Sequence, residues 1–392
     1  MAKEIVLGFV DLDQSGGSLH PDKITSADDL PHKVGGRPVW LHRNSPLDVS
    51  SVTCSKCQSI MPLLVQLYTP DDEVPEAFFR IVYLFACKNG TCKSFKVFRS
   101  QLPESNSHWT ESSVLSPSSP TCQICGLKGS KVCTGCKAIH YCSKEHQAIG
   151  WKKGKHNVTC GTDCQTVIGD AELQDIQKLV EFKEWEIVTE VEPESGNAIK
   201  DIEAQMKGAG ITETEEEAAE AEDEIRDAPD TTVDVDNAFL MFQNRMDREP
   251  EQIIRWARCV DGDDSEIAMD LDEEYEETEK QVLWVADIEK PDLEKDIGNC
   301  QFCQRPRVFE FQVMPTLLNH LAIDHASDKA FDFGTVVVYS CPDRCQPTSE
   351  GSPLPYMEEI AFHQNFSTMG LNDRIRNVLL GGSASGVPPS SE

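Results

Sequence analysis

The sequence predicts a β-rich α+β fold built from two copies of one unit. Runs of β-branched and aromatic residues with the length of strands recur along the chain, while helix-like patterns are few and short. In addition, cysteine pairs stand at matching points of an N-terminal and a C-terminal half. Repetition at matching points is typical of an internal duplication, so we expect a duplicated β unit with one copy in each half.

Length and composition limit the class of protein. The 392 residues, 39% of them hydrophobic, can bury one large core or two medium ones joined by linkers. The first residues lack a charged start followed by a long apolar run, and no stretch approaches the roughly 20 apolar residues of a membrane span. We therefore expect a soluble protein of the cytoplasm and nucleus.

The N-terminal β half, residues 1–103, carries the first copy of the unit. A Gly-Gly turn precedes a short strand in KVGGRPVWL (33–41), and MPLLVQLYT (61–69) and FFRIVYLFAC (78–87) are further strand-like runs. The Ser- and Pro-rich stretch 104–121 then indicates a flexible linker. Two cysteine pairs flank the two longer strands: Cys54, Cys57, Cys87 and Cys92.

A cysteine- and histidine-rich finger, residues 122–160, follows the linker. A connecting region, 161–200, comes next, with a helical pattern in AELQDIQKLV and an alternating strand in EWEIVTEV. The finger's possible metal ligands fall into four pairs three or four residues apart: Cys122 and Cys125, Cys133 and Cys136, Cys142 and His146, and His156 and Cys160.

Most of the net charge of −31 lies in two stretches. Residues 201–236 contribute −12 and residues 261–279 contribute −11, which leaves −8 for the rest of the chain. Few aromatic residues accompany these charges, so the stretches cannot bury enough apolar area to offset the loss of conformational entropy. We expect them to be disordered. They serve either as solvated linkers or as mobile carboxylates that bind a basic partner.

The C-terminal β half, residues 237–372, contains the second acidic stretch as an insertion and precedes a disordered tail at 373–392. EQIIRWARC, QVLWVAD, FEFQVMP, FGTVVVYS and EEIAFH are strand-like, and PTLLNHLAI is a helical pattern. The cysteines repeat the order of the first half: Cys300, Cys303, Cys341 and Cys345.

Sixteen cysteines in a reducing compartment are better candidates for metal ligands than for disulfides, and zinc is the expected metal. In each β half a Cys-x-x-Cys turn precedes one strand and a second pair closes the next, so one tetrahedral zinc ion would clip the hairpin. An alternative set of ligands for the second half is Cys300, Cys303, His320 and His325. Its spacer of sixteen residues is long for such a site, and it would leave Cys341 and Cys345 without a role as ligands. Cys164 and Cys259 remain as ordinary thiols.

The eight finger ligands suit two zinc ions, which brings the expected total to about four structural ions. A span of 39 residues is too short for a core of its own, so metal must supply the folding energy. The order of ligands resembles the MYND zinc finger. That resemblance implies that Cys122, Cys125, Cys142 and His146 hold one ion and that Cys133, Cys136, His156 and Cys160 hold the other.

Nearly the whole chain resembles the programmed cell death protein 2 family, in its MYND-bearing branch. The segments that carry the resemblance are LGFVD, KVGGRPVWL, FRIVYLFAC, YCSKEHQ, FEFQVMPTLLNHL and DFGTVVVYSC. The resemblance implies that the two halves associate into one β-rich domain, called TYPP, with the finger inserted. It also implies a chaperone role toward a basic small-subunit ribosomal protein, universal small-subunit protein five, in maturation of the 40S subunit.

Other functions receive less support from the residues. A MYND-type adaptor in transcription, cell-death or proliferation control is the alternative, since such fingers bind other proteins. GWKKGKH lacks the full phosphate-loop spacing, and DGDDSEIAMDLD lacks the glycine and glutamate of a calcium loop, so we expect no enzyme. The net negative field also makes direct nucleic-acid binding by the whole protein unfavourable.

Overall fold

A computed structural model describes residues 3–13, 19, 24–115, 118–161, 168, 170–193, 237–259, 282–324, 326–349 and 352–366. The stretches predicted to be disordered, 201–236, 261–279 and 373–392, lie outside the described residues. Within the described ranges no helix has the length and apolar content needed to cross a membrane.

The predicted β-rich fold is confirmed. The strands are β1 (Lys3–Val10), β2 (Lys33–Val34), β3 (Leu63–Tyr68), β4 (Phe79–Ala86), β5 (Phe95–Leu102), β6 (Trp109–Thr110), β7 (Ser113–Val114), β8 (Lys131–Val132), β9 (His140–Tyr141), β10 (Trp185–Val191), β11 (Ile254–Cys259), β12 (Val308–Val313), β13 (Thr335–Ser340), β14 (Thr348–Ser349), β15 (Ser352–Pro353) and β16 (Met357–Gln364). The α-helices are α1 (Lys144–Lys152), α2 (His156–Thr159), α3 (Asp170–Val180) and α4 (Asn237–Arg248).

Ten strands close into one antiparallel barrel in the order β1-β10-β2-β3-β4-β5-β16-β13-β12-β11. Strand β1 closes it, because its residues pair with β10 on one side and with β11 on the other. The strands' inward-facing residues form a buried apolar core that includes Val65, Val82, Phe311 and Val338. Closure removes the exposed edges that a sheet of this length would otherwise present to other chains.

The two β halves meet at two places in the barrel, where β5 pairs with β16 and where β1 pairs with β11, and they share irregular features. The strand that follows the Cys-x-x-Cys turn has a β-bulge at the same distance from the turn in both halves. The bulge lies between Leu63 and Val65 in β3 and between Phe309 and Phe311 in β12. A buried glutamine follows each bulge. Gln66 accepts a hydrogen bond of 2.9 Å from the N–H of Val39, and Gln312 accepts one of 3.1 Å from the N–H of Leu283.

The run QVLWVAD was predicted as a strand, and the structure differs there. Residues 282–287 form no strand and contain bends at Val285 and Asp287, and glutamine side chains bind their backbone where a neighbouring strand would otherwise do so. Gln312 binds the backbone of Leu283, and Gln364 accepts a hydrogen bond of 2.9 Å from the N–H of Val285. The strand-like pattern therefore did not predict how this segment is held against the barrel.

Buried ion pairs connect the halves across the barrel. Arg80 of the first half donates two hydrogen bonds of 2.7 Å to the carboxylate of Glu310 in the second. Arg99 donates one of 2.9 Å to Glu359, and another of 2.9 Å runs from Arg344 to Asp71. Because each pair joins residues far apart in the sequence, the pairs fix the halves relative to one another.

The stretch 104–121, predicted as a flexible linker, contains the β6–β7 hairpin. Its Trp109 is fully buried and donates a hydrogen bond of 2.6 Å from the indole nitrogen to the carbonyl of Leu41. The Ser and Pro content had indicated a flexible chain, but one large aromatic side chain anchors it to the barrel. The finger consequently packs directly on the N-terminal half.

Helix α3 forms where the pattern predicted it, whereas Pro315–His320 is a 3-10 helix. Helix α4 was not predicted. Its buried Ala238 and Phe242 stand one helical turn apart, but the pattern is short and begins beside an acidic stretch.

Candidate metal centres and the finger surface

The finger brings its first ligand set together between a turn and a helix. Cys122 and Cys125 come from a tight turn, while Cys142 directly follows β9 and His146 lies in the first turn of α1. Ser143 caps α1, because its hydroxyl accepts a hydrogen bond of 3.0 Å from the N–H of His146. This cap aims Nδ1 of His146 at the sulfurs of Cys122 and Cys142, which lie 3.7 and 3.3 Å away.

The second set in the finger comprises Cys133, Cys136, His156 and Cys160. His156 begins α2 and Cys160 directly follows it. The sulfurs of Cys133 and Cys160 are 3.8 Å apart, and Nε2 of His156 lies 3.5 Å from the sulfur of Cys136. The pairs therefore alternate between the two sets, as the resemblance to MYND fingers implied.

Each β half brings its four cysteines together at the end of its hairpin. In the first half the sulfurs of Cys57 and Cys87 are 3.5 Å apart, and in the second those of Cys303 and Cys341 are 3.6 Å apart. In all four sets the ligand atoms lie within 4.8 Å of one another; the β-half sets are Cys54, Cys57, Cys87 and Cys92, and Cys300, Cys303, Cys341 and Cys345.

All four Cys-x-x-Cys turns have the same backbone geometry. The residue after the second cysteine adopts a left-handed conformation in each: Gln58 (φ 62°), Gly126 (74°), Lys137 (59°) and Gln304 (62°). In each turn its N–H also donates a hydrogen bond of 2.9 Å to the carbonyl of the first cysteine. A non-glycine residue with positive φ is uncommon, so its recurrence at three of these turns indicates that metal geometry shapes the backbone.

The spacing of the sulfurs fits zinc and excludes disulfides. A disulfide requires about 2.05 Å between sulfurs. A tetrahedral ion with Zn–S bonds of about 2.3 Å places its ligands about 3.8 Å apart. The observed distances of 3.5 to 3.8 Å between sulfurs follow the second pattern. In the first half, the hydroxyl and N–H of Ser59 lower the pKa of Cys57 to about 6, whereas burial raises the pKa of Cys87 and Cys92, so the pKa values alone do not distinguish a metal site.

Each of the four Cys/His clusters can therefore bind one zinc ion, and the expected zinc content is confirmed in this sense. Among the described residues, the Cys300 cluster is completed by Cys341 and Cys345 and does not include His320. The imidazole of His320 lies beside the indole of Trp185, with ring centroids 6.1 Å apart. His325 and Cys164 lie outside the described residues, as does the side chain of Cys259.

The finger's outer surface is basic and partly apolar. Residues 122–160 contain seven lysines and one glutamate, and two Zn(Cys₃His) centres of −1 each would leave about +4. Trp151 is 41% exposed and Val158 is 71% exposed on this surface. Exposed apolar side chains among positive charges are typical of a surface that binds another protein.

The β barrel carries two four-cysteine sites, and the finger folded against it carries two sites of three cysteines and one histidine. These features define a zinc-binding interaction protein. The chain belongs to the programmed cell death protein 2 family. The family's N-terminal domain matches residues 4–116, a MYND finger matches 122–160, and the family's C-terminal domain matches 236–365.

Curated relatives agree with this assignment. Programmed cell death protein 2 of Rattus norvegicus is 32% identical over 86% of this chain and 92% of its own length. The Mus musculus protein of the same name is 33% identical with the same coverage of both chains. Programmed cell death protein 2-like of Gallus gallus is 24% identical over 85% of this chain and 89% of its own. No solved structure shows a significant match to the chain.

We expect metal analysis of the purified full chain to give about four zinc ions per molecule, two from the finger and one from each β half. Elemental analysis by mass spectrometry, with protein quantified by amino-acid analysis, measures this ratio. A value of two would contradict the prediction of one zinc ion in each β half. The Cys136→Ser variant, which lacks one finger ligand, should contain about three zinc ions per molecule.

Proposed function

We propose that the chain is a dedicated chaperone of a basic small-subunit ribosomal protein, universal small-subunit protein five. It would act in the cytoplasm and nucleus in maturation of the 40S subunit. Family membership supports the proposal, and the charge is the observation that carries it: a net −31, of which −23 lies in two short stretches. Free ribosomal proteins are strongly basic and need a partner that screens their charge and covers their apolar surface.

We infer that the zinc ions serve folding and not catalysis. Each cluster offers four protein ligands to a tetrahedral ion, which leaves no position for a reacting water molecule. Direct nucleic-acid binding is not part of the proposal, because the overall negative charge repels phosphate.

A solubility assay tests the chaperone proposal. Purified universal small-subunit protein five, diluted from denaturant, should stay soluble with an equimolar amount of the full chain and aggregate without it. Polyglutamate of the same net charge is the matched control, because it supplies charge without a folded surface. Equal protection by polyglutamate, or no binding to the full chain, would argue against a dedicated chaperone.

A second candidate function is a MYND-type adaptor in transcription or cell-death control. The exposed Trp151 and Val158 on the basic finger surface favour it. The finger cannot simply be deleted, because its Gly126 accepts a hydrogen bond from Trp40 of the barrel. The full chain with Trp151→Ala and Val158→Ser is the better probe. An adaptor should lose its partners with this variant, whereas a chaperone should keep its ribosomal client.

We expect the acidic stretch to speed capture of a basic client. Replacing residues 208–230 with a Gly/Ser linker of equal length removes a net −9 while keeping the spacing. The association rate should fall several-fold at low salt, and the difference should shrink near physiological ionic strength, where the screening length is about 8 Å. The dissociation rate should change less. Stopped-flow fluorescence measures both rates, and an unchanged association rate at low salt would leave the stretch as a linker only.

A further inference from the structure

The outer surfaces of the two β halves carry equivalent aromatic side chains. Trp40 follows Val39, which is bound by Gln66, and Trp284 follows Leu283, which is bound by Gln312. Beside each tryptophan lie side chains of two neighbouring strands, β4 and β5 in the first half and β13 and β16 in the second. The N-terminal aromatic face consists of Trp40, Tyr83, Phe85 and Phe98, and the C-terminal aromatic face consists of Trp284, Val337, Tyr339 and Phe362.

The N-terminal aromatic face is covered by the chain itself. The finger contributes Ile124 and Leu127, both fully buried in the same cluster, and the β6–β7 hairpin contributes Trp109. The indole nitrogen of Trp40 donates a hydrogen bond of 2.7 Å to the carbonyl of Gly126 in the finger. Only 6% of Trp40 remains exposed.

On the C-terminal aromatic face, Val337 and Tyr339 are fully buried within the half itself, but no second module covers the outer side chains among the described residues. Trp284 and Phe362 meet edge to face with ring centroids 6.0 Å apart, and both are only half-buried, as are Ile360 and Leu293. Ile288 lies next to this face, because its carbonyl accepts a hydrogen bond from the side chain of Gln364. Its side chain is 47% exposed. The indole N–H of Trp284 has no hydrogen-bond partner within the described ranges, in contrast to that of Trp40.

The rim of the C-terminal aromatic face is acidic. Between Asp287 and Asp296 the chain carries five carboxylates and two lysines. Both lysines are already paired, Lys290 with Asp287 at 2.8 Å and Lys295 with Asp292. Glu289 and Glu294 are exposed on the same segment. An apolar surface with a negative rim is complementary to a segment that carries Lys or Arg beside an apolar anchor.

We propose that the C-terminal aromatic face binds an extended, basic segment of the ribosomal client, with an apolar side chain against Trp284 and Phe362 and positive charges against the rim. This inference rests on the proposed function, because it takes the client to be basic. Within the same fold, the equivalent face already binds a positively charged module, the finger. The C-terminal face is therefore the client site, and the finger surface with Trp151 remains separate from it.

Binding of universal small-subunit protein five to the full chain, measured by interferometry, tests the site. Two variants address its two components: Glu289→Lys with Glu294→Lys reverses the rim charge, and Trp284→Ala removes the anchor. Two controls change exposed residues elsewhere on the protein. Glu73→Lys with Glu76→Lys is the control for the charge reversal, and Leu115→Ala is the control for removal of an apolar side chain. Zinc content and melting temperature should match the wild type for every variant that is compared.

We expect each site variant to weaken binding about tenfold or more, while the controls stay within about twofold. Hydrogen exchange should slow in residues 282–297 of the wild-type complex. Wild-type affinity in both site variants would overturn the inference while leaving the proposed function in place. Failure of the wild type to bind would instead overturn the proposed function. If the face pairs with a second copy, sedimentation should show a dimer that the rim variant abolishes, which would also overturn the inference.

Discussion

Replacing Cys303 with serine is expected to destabilise the whole barrel, not only the C-terminal hairpin. Structural zinc contributes about 10–16 kcal/mol in small zinc-binding peptides, which matches or exceeds the net stability of about 5–15 kcal/mol of a typical domain. Cys303 is half-buried, so its replacement tests loss of a ligand with little cost from burying a hydroxyl. The two halves share one closed barrel, so the loss should spread to both.

The measurement is thermal unfolding together with zinc analysis. The Cys303→Ser variant should lose one ion and melt roughly 10 °C or more below the wild type. Cys164→Ser is the matched control, since the ligand count in the sequence leaves that cysteine outside the four sets, and it should melt like the wild type. A Cys303→Ser protein with wild-type melting and four ions would show that this cluster does not hold the hairpin.

Neutralising Glu310 should have the second largest effect. Both carboxylate oxygens accept hydrogen bonds from Arg80, and Ser340 also donates to them. Glu310→Gln preserves the shape but leaves the buried Arg80 without its counter-charge, which costs about 3–5 kcal/mol for buried pairs. Replacing both partners, as Arg80→Met with Glu310→Leu, should recover part of this loss because neither partner leaves the other's charge buried and unpaired.

The same pair predicts how stability depends on pH. Burial opposes ionisation of Glu310, but Arg80 outweighs it and holds the pKa of this carboxyl well below its ordinary value of 4.5. Because the folded pKa is lower, the stabilisation is present above about pH 4.5 and is lost as the pH falls toward the folded pKa. Urea unfolding between pH 3 and 7 measures this.

Asp287→Asn is the control for the ion-pair prediction. It breaks the exposed pair with Lys290, whose side chains are 45% and 38% exposed, so it should cost less than about 1 kcal/mol. If Glu310→Gln cost no more than this control at pH 7, the pair would not fix the halves together.

Features fixed by short-range spacing were predictable from the sequence, and features fixed by long-range pairing were not. Cysteine spacing gave the four clusters, and apolar runs such as that of β4 gave the strands. Closure of the barrel depends on β1 pairing with both β10 and β11, whose residues are far away in the chain. The hairpin around Trp109 was missed because its flanking Ser and Pro residues dominate the local pattern.

The sequence contains a pattern that relates the C-terminal aromatic face to the N-terminal one. Gln66 and Gln312 both stand nine residues after the second cysteine of their halves, and an apolar residue followed by tryptophan precedes each Cys-x-x-Cys turn. Aligning the halves on these residues would have paired Trp40 with Trp284. It could not have shown that the finger covers one and not the other, because that depends on how the finger packs.

Capture of the tagged full chain from cells during translation, with partners quantified by mass spectrometry, tests the central claim most directly. The account predicts that one newly made small-subunit ribosomal protein, universal small-subunit protein five, is enriched far above all other ribosomal proteins. The Trp151→Ala and Val158→Ser variant should retain it. Partners without any enriched ribosomal protein, lost together when the finger surface is changed, would contradict the chaperone account and favour the adaptor.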